Sequence, residues 1–159
     1  MEGPLNKTLA VICTALLGGI FGSVLLQVLM RYVFNSPLTW SDEVTRLFLV
    51  WLTFLGAVLS YRLGTQIAVD AFQLLAVRLD WHRLAQSAEV LIQTTIALVS
   101  LALLLGGIQL TDATLDRPTP ALGIPVATFY LAVPVSAGLI LWSIAERVVE
   151  SFKRRKGAR

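Results

Sequence analysis

Residues 8–30 read TLAVICTALLGGIFGSVLLQVLM, a run of 23 residues without a charged side chain. As an α-helix, which rises about 1.5 Å per residue, such a run crosses the ~30 Å hydrocarbon layer of a bilayer with room to tilt. Residues 90–111 and 121–145 form two more uncharged runs of sufficient length. The sequence therefore predicts transmembrane helices at 8–30, 90–111 and 121–145.

A fourth transmembrane helix is predicted at 41–61. The uncharged run 47–61 is too short to span a bilayer alone. A helix that starts at Ser41, with Thr39 or Ser41 as the N-cap, has a length of about 31 Å, which is sufficient. Its first turns, near the outer interface, carry three charged residues: Asp42, Glu43 and Arg46.

The composition fits a membrane protein. Hydrophobic residues make up 56% of the 159-residue chain and charged residues only 14%, whereas a soluble domain has about 25% charged residues. We find no internal repeat and no sign of a second domain. The predicted fold class is an all-α integral membrane protein, with a single four-helix domain over residues 1–159.

Cationic residues indicate the orientation. Ten of the 13 Lys and Arg residues lie in the N-terminal tail, the 62–89 loop and the C-terminal tail. The positive-inside rule therefore predicts that both termini are cytoplasmic. The basic cluster at residues 153–156 (KRRK) predicts contact with anionic lipid, and nucleic-acid binding is not indicated.

Two connecting segments carry further patterns. In the inner loop, Phe72, Leu75, Ala76 and Leu79 recur at helical spacing, which predicts a short amphipathic helix on the cytoplasmic face between the second and third transmembrane helices. The outer segment 112–120 contains two X-Pro pairs and is predicted to be extended.

The transmembrane sequences also contain packing signals. Small residues four apart predict close approach between helices. These pairs are Gly18/Gly22, Gly19/Ser23, Gly56/Ser60 and Ala102/Gly106. Pro125 and Pro134 are predicted to bend the fourth helix, because proline lacks a backbone donor. Gln27, Gln93 and Gln109 are predicted to form hydrogen bonds between helices rather than a substrate path.

The sequence offers no groups for chemistry inside the membrane. Between the interfaces it has no acidic residue, and its single histidine (His82) and single cysteine (Cys13) provide neither a pair of haem ligands nor a disulfide. No metal-ligand cluster, phosphate-binding loop or nucleophile–base pair is present. We therefore predict no enzyme activity and no cofactor for this chain, and interpret it as an accessory or scaffold subunit.

The charged residues at the start of the second helix allow two interpretations. Asp42 and Glu43 precede Arg46 by four and three residues, so all three share one helix face. They can form a local, self-neutralising cluster at the helix end. Alternatively, a partner protein completes some of them, because the short 47–61 run draws Arg46 below the outer interface.

These residues belong to a longer pattern. Its members are Arg31-Tyr-x-Phe-Asn35, Trp40, Glu43, Arg46, Trp51, residues 54–57 (FLGA), Arg62, Gly64, residues 69–70 (VD), residues 120–125 (PALGIP), Tyr130 and residues 133–134 (VP). Over nearly its full length the chain resembles the small permease subunit of TRAP (tripartite ATP-independent periplasmic) transporters. Gln66 departs from the pattern, since the family often has histidine there, and so leaves no imidazole at that position.

The resemblance implies a location in the bacterial inner membrane, together with partners and roles. Such subunits pair with a large membrane subunit, which carries the substrate and sodium sites and moves as an elevator, and a periplasmic binding protein supplies the substrate. The small subunit braces the static scaffold, and the substrates are mostly organic acids such as C4-dicarboxylates, keto acids and sialic acid. The residues implied in contacts are Arg31, Asn35, Trp40, Glu43, Arg46 and Trp51 at the outer face, and Arg62 and Asp70 at the inner face.

Other protein classes fit less well. The small four-span subunit of a tripartite tricarboxylate transporter shares the scaffold logic, but it is expected to lack the Arg-Tyr-x-Phe-Asn and Trp-x-x-Glu motifs. A small multidrug exporter requires an acid in the first span, and residues 8–30 contain none. The single histidine disfavours a quinone- or haem-binding membrane anchor of a redox enzyme, which a haem absorbance band would support.

Arg46→Ala is expected to impair assembly of the transporter complex, or uptake by it, while leaving membrane insertion intact. The reason is that Arg46 carries an outer-face contact in the resemblance. Uptake in cells, normalised to the amount of co-purified complex, measures the effect. Wild-type uptake by a normally assembled Arg46→Ala complex contradicts this role.

Overall fold

A computed structural model describes residues 4–36, 38–63 and 82–157, with side chains up to residue 63 and from 91 to 146. Within these ranges the helices are α1 (Pro4–Tyr32), α2 (Thr39–Leu63), α3 (His82–Ala113), α4 (Ala127–Tyr130) and α5 (Ala132–Gly157). The predicted amphipathic helix, Gly64, Gln66 and Asp70 lie outside the described residues.

The predicted all-α membrane fold is confirmed. Four helical segments are long and apolar enough to cross a bilayer: Pro4–Tyr32, Thr39–Leu63, Leu91–Ala113 and Ala127–Glu146. The described residues contain no β-strand, only an isolated bridge between Pro118 and Pro125. Because α2 already begins at Thr39 rather than at Ser41, neither predicted residue is its N-cap. The Ser41 hydroxyl instead donates a hydrogen bond to the carbonyl of Ser23.

The fourth span differs from the prediction. The uncharged run predicts a start at residue 121, but the helix begins at Ala127. Pro125 therefore precedes the helix and does not bend it. Pro134, in the first turn of α5, leaves the carbonyl of Tyr130 without the usual donor four residues later, and the helix is interrupted at Leu131 between α4 and α5.

The transmembrane helices pack as an open row in the order α1, α2, α5, α3. Among the described residues, the backbones of α1 and α3, at the two ends of the row, do not approach each other. The short α4 contacts α2, α3 and α5. We call the end of the row with the 33–38 and 114–126 connections the loop end, and the opposite end, with residues 4 and 157, the terminal end.

Much apolar surface points away from the row. Val11 and Phe21 in α1 and Leu91 and Leu98 in α3 are 63–68% exposed. Lipid is as apolar as these side chains, so transmembrane helices need not bury them against one another. The two broad faces of the row are therefore available to lipid or to another membrane protein.

A small apolar core joins three helices towards the terminal end. Leu9 of α1 and Leu55 and Val58 of α2 are buried together. Leu139 and Ile140 of α5 pack against them. These contacts hold α1 and α5 to the same half of α2.

Two glycines lie where helices approach most closely. A Cβ atom on Gly19 would lie 2.7 Å from the Phe48 ring of α2, and one on Gly107 would lie 3.1 Å from the backbone nitrogen of Pro134 in α5. The predicted Gly19/Ser23 pair is confirmed, since Ser23 also accepts the hydrogen bond from Ser41. The glycines of the other three predicted pairs (Gly18, Gly22, Gly56 and Gly106) face open space, so these glycines form no close helix contact within the described part of the chain.

Gly107→Ala is expected to destabilise the chain by about 1–3 kcal/mol, because the added methyl meets rigid proline backbone at the α3–α5 contact. Gly106→Ala is the matched control: it has the same change in helix propensity but adds its methyl to open space. Thermal unfolding in detergent, followed by the loss of monodisperse protein, measures both. Equal melting temperatures for the two variants contradict the close contact.

Candidate functional site

Residues 117–126 form a tight hairpin at the loop end. The Thr119 N–H donates to the Ile124 carbonyl at 2.8 Å, and the Gly123 N–H donates to the Thr119 carbonyl at 3.1 Å. Gly123 has a φ of +67°, in the left-handed region that glycine enters without strain. The prediction of an extended 112–120 segment holds only for residues 117–119, where Pro118 pairs with Pro125, because α3 continues to residue 113 and a turn then leads into the hairpin.

Glu43 holds this hairpin against α2. Its two carboxylate oxygens accept hydrogen bonds from the backbone N–H groups of Ala121 and Leu122, each at 2.9 Å. Hydrogen bonds to an ionised acceptor are among the stronger ones in proteins. The structure therefore gives Glu43 a contact within the chain, between the loop end of α2 and the connection from α3 to α4.

Asp42 and Arg46 do not pair with each other. The Oδ1 atom of Asp42 accepts a 2.7 Å hydrogen bond from the side-chain amide of Gln27, which links α2 to α1. The exposed Arg46 side chain makes no hydrogen bond or ion pair with any residue that the structure describes. This differs from a directly paired cluster, because both acids accept hydrogen bonds from other elements, although the Arg46 charge still interacts with the Glu43 carboxylate at longer range.

The other predicted residues of the loop end occupy separate positions. The indole N–H of Trp51 donates to the Thr128 carbonyl at 3.2 Å, which joins α2 to α4. Asn35 has a φ of 51°, a left-handed conformation that asparagine tolerates, in the turn between α1 and α2. The Arg31 guanidinium lies 6.0 Å from the centre of the Tyr32 ring, at the end of α1. Trp40 is 39% exposed.

A cleft of about 610 Å³ opens beside the hairpin. One wall is a stripe of α2, formed by Thr39, Asp42, Glu43, Arg46 and Val50. The other wall is the hairpin with the start of the fourth span, formed by residues 119–121, Val126, Phe129 and Tyr130. Glu43 and Arg46 are the two predicted site residues that line it. The described residues contain no group of three or more His, Cys, Asp or Glu side chains that could hold a metal ion.

At the terminal end, Arg62 joins three helices. Its Nε donates to the Asn6 side chain in α1 at 2.7 Å, and one Nη donates to the Ser143 hydroxyl in α5 at 2.7 Å. The same Nη forms a 3.0 Å ion pair with Glu146, and the Arg62 side chain is only 13% exposed. A guanidinium at the edge of an apolar layer needs such partners, and here the chain itself provides them.

The sequence predicted some of the residues that bind these side chains and did not predict others. Gln27 and Gln93 were predicted as interhelical hydrogen-bond residues, and this is confirmed by the bond to Asp42 and by a 2.7 Å bond between Gln93 and the Tyr61 hydroxyl. Glu146 was not predicted as a partner of Arg62, although its position directly after the uncharged run 121–145 could have indicated it. The Thr128 carbonyl had no signal, since every residue carries one.

Comparison with known proteins identifies the family of this chain. The model of the family described as tripartite ATP-independent periplasmic transporters, DctQ component, matches residues 20–154. The chain belongs to this family. The resemblance to a small TRAP permease subunit is thereby confirmed, and the chain is a multi-pass membrane protein of a transporter.

Three Haemophilus influenzae proteins are similar to this DctQ-family chain. One, named for a TRAP transporter small permease, is 37% identical over 65 residues, which cover 41% of this chain and 40% of that protein. The sialic acid TRAP transporter permease protein SiaT is 28% identical over 139 residues, which cover 86% of this chain but 22% of SiaT. Another protein named for a TRAP transporter small permease is 24% identical over 149 residues, which cover 94% of this chain and 88% of that protein. The matches thus span less than half of the first two relatives.

Glu43→Gln is expected to loosen the hairpin, because one of the two acceptor oxygens becomes an amide that cannot accept a backbone N–H. Hydrogen exchange of the Ala121 and Leu122 amides is predicted to accelerate about tenfold, for a loss of roughly 1.5 kcal/mol. Asp116→Asn is the matched control, since Asp116 is exposed on the same connection. Unchanged exchange in Glu43→Gln contradicts the clamp.

Proposed function

We propose that this chain is the static scaffold subunit of a sodium-coupled tripartite secondary transporter that imports an organic anion, such as a dicarboxylate, a keto acid or a sugar acid. It braces a large elevator-type membrane subunit that carries the substrate and sodium sites. A periplasmic binding protein delivers the substrate, and this subunit holds no cofactor of its own.

One observation carries the proposal: the chain uses its polar groups near both ends of α2 to tie its own helices together. Glu43 and Asp42 fasten the loop end, and Arg62 fastens three helices at the terminal end. Side chains occupied in this way are poorly placed to bind and release a substrate in each cycle. The same contacts favour a part of fixed shape.

The shape of the row and the relatives support a larger membrane partner. An open row leaves two broad apolar faces, so that one can contact another membrane protein while the other contacts lipid. The match to SiaT covers most of this chain but only about a fifth of that permease. A permease in which this unit is joined to a much longer sequence supports a separate large partner for this chain.

The proposed orientation follows from the charges of the tails and loops. Both termini lie in the cytoplasm and the chain lies in the bacterial inner membrane, so the loop end faces the periplasm. Arg31, Asn35 and Trp40 then lie at or near the periplasmic surface, where they contact or shape contacts with partners. Trp51 is midway along α2 and therefore lies deeper than the predicted outer face. Arg62 lies near the cytoplasmic face.

A covalent lock between α1 and α2 distinguishes a static brace from a moving part. Ser23→Cys with Ser41→Cys places two thiols at a close helix contact, in a Cys13→Ser background. Bridging them with a short bifunctional thiol reagent is expected to leave sodium-driven uptake by the complete transporter in proteoliposomes within about twofold of the unbridged protein, because a brace need not change shape.

The single-cysteine variants treated with the same reagent are the controls for modification alone. Omission of the small subunit is expected to abolish uptake. Loss of uptake on bridging, with recovery when a cleavable bridge is cut, contradicts a static role. Full uptake without a sodium gradient contradicts the coupling.

A further inference from the structure

The cleft beside the hairpin changes polarity along its length. Thr39 and Asp42 line it towards the end of α2, and Val50 and Phe129 line it further along the membrane-spanning segment. Arg46 lies between the polar and apolar parts. The stripe from Thr39 to Val50 covers about 16 Å along the helix axis. The cleft therefore has a charged outer part and an apolar inner part.

The depth of Arg46 in the membrane makes its charge unusual. Arg46 and Arg62 are 16 residues apart on α2, which corresponds to about 24 Å, less than the ~30 Å thickness of the hydrocarbon layer. At least one of them therefore lies at or below an interface. Arg62 has Glu146 as its counter-ion, whereas Arg46 makes no ion pair with the described residues. An anionic group from outside the chain fits beside Arg46.

The cleft also contains a second carboxylate besides that of Glu43, that of Asp42, at a short distance along the helix from Arg46. Asp42 lies one helical turn before Arg46, and only its Oδ1 atom is bonded to Gln27. Both oxygens of Glu43 already accept backbone N–H groups. A ligand with an anionic and a cationic group a few ångströms apart therefore finds a partner for each.

We propose that this cleft binds the headgroup of an aminophospholipid of the phosphatidylethanolamine type. The phosphate contacts the Arg46 guanidinium, the ammonium contacts the free oxygen of Asp42, and an acyl chain follows Val50 and Phe129. The volume of about 610 Å³ is that of a small-molecule site and exceeds what one side chain fills. The site depends on the membrane location of the chain and not on its scaffold role.

Photo-crosslinking in vesicles tests this site. The full chain is reconstituted in phosphatidylglycerol vesicles with a trace of phosphatidylethanolamine that carries a diazirine on its acyl chain, and modified peptides are mapped by mass spectrometry. Modification is expected to concentrate on residues 46–50 and 126–130. Excess unlabelled phosphatidylethanolamine is expected to lower it about tenfold, and additional phosphatidylglycerol to lower it little.

Two substitutions test the phosphate contact and the ammonium contact separately, and two further variants serve as controls. Arg46→Gln is expected to lower modification about tenfold, the effect of losing one charge-assisted hydrogen bond. Asp42→Asn is expected to remove the preference for phosphatidylethanolamine over phosphatidylglycerol. Arg46→Lys keeps the charge and is expected to keep most of the modification. Arg117→Gln is the matched control, since Arg117 is exposed at the same end and does not line the cleft.

Other results overturn the proposal. These are modification spread evenly around α2, equal competition by the two lipids in the wild type, or undiminished modification of a folded Arg46→Gln variant. If Arg46→Gln fails to fold, competition in the wild type decides alone. Loss of lipid modification when the large subunit is co-reconstituted assigns the cleft to a protein contact and also overturns it.

Discussion

In a layer without water, each charged group and each free backbone N–H needs a partner, and this constraint shapes α2. Arg62 meets it by reaching α1 and α5 at once. Glu43 meets it by accepting the backbone N–H groups at the tip of the hairpin, which would otherwise need another acceptor. Of the four membrane-spanning segments, α2 contains the most charged residues, and three of them fasten it to α1, to α5 and to the hairpin.

The lengths of the uncharged runs were enough to predict three transmembrane helices, because the thickness of a bilayer fixes how many residues a span needs. The helix of residues 41–61 also required a helix start near Thr39 or Ser41. The start of the fourth span could not be predicted in the same way. Residues 121–126 are uncharged whether they form a helix or a hairpin, and only the bond of Thr119 to Ile124 and the contact with Glu43 decide between them.

The candidate site was predictable in part. The sequence indicated that Glu43, Arg46 and Arg62 were special, since charges near a bilayer need a reason. It could not give their partners, because Glu43 binds backbone groups, which are the same in every residue. Likewise, Gly18 and Gly19 are equivalent in sequence, and only the position of the Phe48 ring shows which of them lies in the helix contact.

The open row also has a consequence for how the chain is made. The last transmembrane helix, α5, lies between α2 and α3, both of which are synthesised before it. Until α5 arrives, α2 and α3 lack the helix that packs between them, and Arg62 lacks Ser143 and Glu146. A ribosome that stops early thus releases a product in which the α2 and α3 faces that pack on α5 are uncovered and Arg62 has lost its ion pair with Glu146. Such a product differs clearly from the finished subunit, so membrane quality control has a simple physical signal for incomplete chains.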